Sequence, residues 1–99
     1  MPDYTNTSQQ RILKVLLALG GHEINGLAVG EIAKGINASP PNIVRDLANL
    51  DEAGIAEKIT DTNRWRLTPR IPQIAMAMLN TLDRTEHKTA EVRQRFTRT

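Results

Sequence analysis

The 99-residue sequence contains no cysteine, which excludes a disulfide framework, a thiolate zinc site and a cysteine nucleophile and leaves packing to hold the fold. No apolar run approaches the ~20 residues that a bilayer span requires. The polar stretch Met1–Gln10 lacks the basic-then-apolar order of a secretory signal, so the expectation is a soluble, cytoplasmic protein. The two histidines, His22 and His87, stand 65 positions apart without metal-ligand spacing; no metal is expected, and each is read as a solvated residue. Ser39 has no histidine partner in a nucleophile arrangement, and Gly20, Gly26, Gly30 and Gly35 do not form a phosphate-binding loop. Internal repeats and low-complexity tracts are lacking too. These absences point away from an enzyme and from any cofactor, and the length suits one compact domain with a single core.

Basic charge is scarce in the first two-thirds of the chain. Residues 1–63 carry five Lys or Arg against eight Asp or Glu, a balance of −3, whereas residues 64–99 carry eight against three, a balance of +5. Nine of the thirteen basic residues are arginine, whose planar fork of donors suits phosphates and guanine edges. A polyanionic partner is compatible with this distribution.

Hydrophobic spacing divides the chain into elements. After a polar tail over 1–7, Ser8 precedes Ile12, Leu13, Val15, Leu16, Leu17 and Leu19, which predict a helix to Leu19 closed by Gly20-Gly21. A loop follows over Gly20–Gly26. A short second helix over about 29–35 puts Ile32 and Ala33 inward, with Gly35 expected near its left-handed end. Ser39-Pro40 opens a third helix to Ala53, serine as cap and proline where no amide is needed. Ile43, Val44, Leu47 and Leu50 form its apolar series, and Gly54 stops it. Ile55–Thr60 and Arg64–Thr68 alternate like strands around the turn formers Asp61-Thr62-Asn63. On the second strand Trp65 and Leu67 share one face, and Arg64 and Arg66 share the other; Trp65 is read as core rather than as a base-stacking platform. Ile74, Ala75, Met78, Leu79 and Leu82 then predict a fourth helix over about 72–84, where Met76 and Met78 serve packing. The segment 85–99, with Ala90, Val92 and Phe96 as its apolar anchors, is either a further short helix or a partly ordered end.

The fold class expected is mainly α with a small β-hairpin, in the order of a winged helix-turn-helix: a three-helix core and wing over 8–68, then a C-terminal helical extension over 69–99. Residues Leu27–Thr68 resemble the DNA-binding domain of the IclR-type regulators and, more loosely, the MarR-type winged helices. The matching features are Glu31-Ile32-Ala33, Ser39, Val44-Arg45-Asp46-Leu47, Leu50, Ala53-Gly54 and Trp65–Thr68. The match departs from the family at Ala28 and Val29, where a serine or threonine cap is usual. The 31 residues after Thr68 have no room for the family's effector-binding domain, so ligand sensing of that type is not implied.

The resemblance implies sequence-specific binding of double-stranded DNA by a transcriptional regulator, with helix 40–53 in the major groove and the wing 55–68 on adjacent backbone. Carried over by position, the DNA-binding candidates are Ser39, Asn42, Ile43, Arg45 and Asn49 on the helix, and Lys58, Asn63, Arg64 and Arg66 on the wing. Arg45 suits guanine, Asn42 suits adenine, and Ser39 with the helix N-terminus suits a phosphate. Basic wing residues supply salt-dependent affinity without reading sequence. The plainer reading makes Arg45 a surface partner of Asp46 or Asn49, and the wing charges merely solvated. Helix 40–53 holds one arginine against three acids, a balance of −2. That balance keeps open a second function, a protein-interaction module working through an acidic helix surface. The stripe on helix four exceeds what one side of a small core needs, so Ile74, Met78 and Leu82 are candidate dimerisation residues in a homodimer that reads paired half-sites.

Overall fold

The computed structural model describes residues 2–84 and 89–97. His87 lies outside the described residues, as does the Ala90 side chain. Two compact units divide at the Thr68–Pro69 junction.

In the first unit, α1 spans Thr7–Leu19, and its cap is Asn6, whose Oδ1 accepts the Gln9 N–H at 3.0 Å. The helix thus starts one residue ahead of the expected Ser8. Ile12, Val15, Leu16 and Leu19 follow i, i+3, i+4, i+7 spacing and form the inward arc, with Val15 and Leu19 completely buried. Leu13 and Leu17, about 100° or more around the helix, remain exposed. Six apolar residues in so short a stretch overfill the arc that one helix face can bury.

Helix α2 spans Val29–Ile36 and buries Ile32 and Ala33. Ala28 has no side chain to cap it; the Glu31 carboxylate instead accepts the Ala28 N–H at 2.9 Å. The left-handed residue at its end is Asn37 (φ 56°), not the expected Gly35, and the Ala38 N–H closes back on the Ala33 carbonyl at 2.9 Å. Asparagine tolerates this conformation better than most residues, and Gly35 is left inside the helix. After Ala38 and Ser39, α3 spans Pro40–Glu52, with both prolines in the turn that has no amide partners to lose. Ser39 takes the cap position through its backbone, its carbonyl accepting from Asn42 and Ile43, each at 3.1 Å. Its hydroxyl makes no cap hydrogen bond, contrary to expectation.

Strands β1 (Ala56–Ile59) and β2 (Arg64–Leu67) pair antiparallel, with Ala56 opposite Leu67, Glu57 opposite Arg66, Lys58 opposite Trp65 and Ile59 opposite Arg64. Asn63 takes the left-handed turn position (φ 58°). Leu27 adds a one-residue bridge to Trp65 through two 2.8 Å backbone hydrogen bonds, so the loop before α2 is tied to the wing. Val15 and Leu19 of α1, Ile32 and Ala33 of α2, Ile43, Leu47 and Leu50 of α3, and Ala56, Trp65 and Leu67 of the hairpin are the buried apolar residues, with α3 packed on α1, α2 and β1 and α1 also packed on β2. This is a three-helix core closed by a two-stranded wing, a winged helix-turn-helix.

The second unit is a helix pair, α4 (Arg70–Asp83) and α5 (Thr89–Thr97), packed on one another and joined by an ion pair between Asp83 and Arg93. None of the α4 side chains is buried. Neither helix is long and apolar enough to cross a membrane, and the same holds for the other described helices.

Candidate functional site

The exposed face of α3 is fixed by what the opposite face buries. Ile43, Asp46, Leu47 and Leu50 point inward. Pro41, Val44, Arg45 and Ala48 repeat the same spacing two residues earlier, which on a helix is about 200° around the axis, and all four are exposed. Ile43 thus keeps its expected place in the apolar series, and Val44 leaves it. Ile43 is wholly buried and leaves the set of binding candidates, whereas Val44, assigned by its spacing to the apolar series, is 53% exposed.

An ion pair accompanies this rotation. Arg11 on α1 grips Asp46 through both ends of its guanidinium, Nε to Oδ2 at 2.6 Å and an NH2 nitrogen to Oδ1 at 2.9 Å, with the carboxylate almost wholly enclosed. The hydrogen bonds to Asp46 raise the Arg11 pKa. The −2 balance counted along the helix thereby changes meaning. Asp46 is neutralised inside the domain, and Arg45 is the one charge on the N-terminal part of the exposed arc, with Asp51 and Glu52 confined to the last turn.

Arg45 itself is exposed, and its guanidinium forms neither an ion pair nor a hydrogen bond among the described residues. The Asn49 amide donates to the Arg45 carbonyl at 2.8 Å, so it bonds the helix backbone rather than pairing with the guanidinium. Asn42 is half-buried and lines, with Arg45 and Asn49, a shallow polar groove between α1 and α3. Ser39 is exposed at the head of the helix.

On the wing the expected basic cluster is largely spent on intramolecular bonds. Arg64 bonds the Asn25 and Gly26 carbonyls at 2.9 and 3.0 Å and the Glu31 carboxylate at 2.9 Å. It is a structural tie between wing, loop and α2, and its side chain remains 33% exposed. The Glu31 carboxyl is held below its ordinary range, chiefly by the Ala28 N–H and then by Arg64. Arg66 pairs with its cross-strand neighbour Glu57 at 3.0 Å, both partners remaining partly exposed. Lys58 lies on the Trp65 face, its ammonium 5.6 Å from the centre of the ring, and is exposed. Asn63 is exposed at the turn. Trp65 is buried, as expected of a core residue. At Gly26 (φ +70°) a Cβ would stand 2.6 Å from the Trp65 carbonyl oxygen, so the bridge beneath the wing needs glycine.

Sequence reasoning missed Val44 and Ala48 as surface residues and Arg11 as the partner of Asp46. The one available signal was an acid, Asp46, in register with Ile43, Leu47 and Leu50. Of the dimerisation candidates, Met78 and Leu82 line an apolar groove between α4 and α5 together with Ala75, Leu79 and Phe96, whereas Ile74 lies outside that lining and is 48% exposed. His22 is exposed, and the described residues contain no cluster of potential metal ligands.

No protein-family model matches the chain, and no curated protein does. Among solved structures it is similar to the Zalpha domain of ORF112 from cyprinid herpesvirus 3, described in its binding mode to Z-DNA. The two share 27% identity with a TM-score of 0.56, over 64% of this chain and 100% of that one.

Proposed function

We propose that this protein binds double-stranded DNA through the exposed arc of α3, with the wing beside it, and that it acts as a sequence-specific, non-enzymatic transcriptional regulator in the cytoplasm. The observation that carries this reading is an unpaired Arg45 on the outward face of the third helix of a winged helix. Arginine reads guanine through O6 and N7. Lys58 is the wing cation best placed to hold a phosphate, and Arg66 joins it if DNA displaces Glu57. The similarity to a Zalpha domain supports nucleic acid as the ligand, and the motifs shared with IclR-type regulators support the regulatory role. The apolar groove of the α4–α5 pair supports a homodimer.

The test is a fluorescence-anisotropy titration of parent and Arg45→Ala protein against a duplex enriched from a random pool, a scrambled duplex and an alternating CG duplex held in the Z form. Arg45→Ala is expected to cost about 1–3 kcal/mol on the enriched duplex and less on the scrambled one. Binding confined to the Z-form duplex would remove sequence-specific reading. Failure to bind any duplex at about 50 mM salt, where phosphate contacts are strongest, together with recovery of a protein partner, would favour the protein-interaction module.

A further inference from the structure

The outward arc of α3 has a second property besides its one cation. Pro41, Val44 and Ala48, the residues that flank Arg45 on that arc, are small and apolar, and all are exposed. The domain leaves them open to solvent, Val44 by about half of its surface. The major groove displays one apolar group, the C5-methyl of thymine, which small apolar side chains recognise by contact. Short side chains also let a helix backbone come close to the groove floor, whereas protein interfaces concentrate their energy in large anchors such as Trp and Tyr, which this arc lacks. Val44 and Ala48 are one turn apart, about 6 Å along the helix axis, enough to cover one or two base steps.

We propose that Val44 and Ala48 form a methyl-reading surface beside Arg45, selecting a C5-methylated pyrimidine within one or two base steps of the guanine that Arg45 contacts. The inference rests on the duplex-binding reading above and adds the feature that the site must contain. Thymine is the natural occupant, and C5-methylcytosine presents the same group at the same place.

The experiment replaces each thymine of the enriched duplex in turn by deoxyuridine, which removes the methyl and preserves the pairing. At one thymine near a guanine the parent protein is expected to lose about three- to tenfold in affinity, the worth of one buried methyl group. Val44→Ser should bind the thymine and deoxyuridine duplexes equally, or Ala48→Ser should do so if the methyl lies one turn further on. Arg45→Ala should bind both more weakly and still prefer thymine. Both serine variants alter exposed positions, and their melting temperatures verify that the fold is kept. Equal binding of every deoxyuridine duplex by the parent overturns the methyl reading and leaves duplex binding intact. Discrimination that survives in both serine variants overturns it as well, and failure to bind any duplex overturns both proposals.

Discussion

Replacing Ile43 and Val44 by alanine, one at a time, measures the rotation of α3 about its axis. Ile43 is completely buried on a helix that packs against α1, α2 and β1, and removing its three outer carbons both forfeits burial and leaves a cavity, at a cost of about 2–5 kcal/mol. A small domain has about 5–15 kcal/mol in total. At about 4–8 °C per kcal/mol, the Ile43 variant should melt roughly 10–40 °C below the parent. Val44 is 53% exposed, its methyls already meet water, and alanine is the better helix former, so Val44→Ala should stay within about 0.5 kcal/mol of the parent in either direction. Thermal melts followed by circular dichroism at the helix band give both values. If Val44→Ala lost as much stability as Ile43→Ala, the arc assigned to the partner would be part of the core, and the functional reading built on it would fail.

Arg11→Met strands the enclosed Asp46 carboxylate, so it should lower the melting temperature more than the double change Arg11→Met with Asp46→Leu does, since a buried charge left alone costs more than a well-packed apolar pair; additive losses would contradict the pairing. Glu31 has its pKa depressed by the Ala28 N–H and Arg64, so its contribution is present above the usual carboxylate range and lost as pH falls through its lowered value. The melting temperature of the parent should therefore drop towards that of Glu31→Gln on acidification, and a gap that widened instead would reverse the sign. Replacing both Met78 and Leu82 by Glu should turn a dimer into a monomer in sedimentation while the helical signal of the first unit persists, and a parent protein that is already monomeric would remove the dimer.

The frame of the domain was legible because its signals are local. Ser39-Pro40-Pro41, Gly54 and Asp61-Thr62-Asn63 mark starts, stops and a turn, and Trp65 and Leu67 alternate against Arg64 and Arg66. What escaped the sequence depends on pairs distant along the chain. Asp46 is interior because Arg11 lies 35 residues away in sequence and beside it in space; with Asp46 counted among the helix's three acids, the −2 balance weighed against DNA, and the apolar series was read to include Val44. Arg64 looks like a wing cation until the loop carbonyls of Asn25 and Gly26, 39 and 38 residues earlier, take up its donors. The Leu27 bridge to Trp65 was hidden in a stretch whose glycines read only as loop. Leu13 and Leu17 show the limit of composition itself, since leucine at every turn of α1 does not say which leucines face inward.

The claim that α3 presents Arg45 and its small apolar neighbours to a duplex is tested most directly by backbone NMR of the isotopically labelled protein titrated with the enriched duplex. The amide shifts of Val44, Arg45 and Ala48 on α3 and of Lys58 on the wing should move together, with a common apparent affinity that weakens as salt rises. Shifts confined to Asp51, Glu52 and their neighbours, or to the α4–α5 pair, with Val44, Arg45 and Ala48 unmoved, would contradict it.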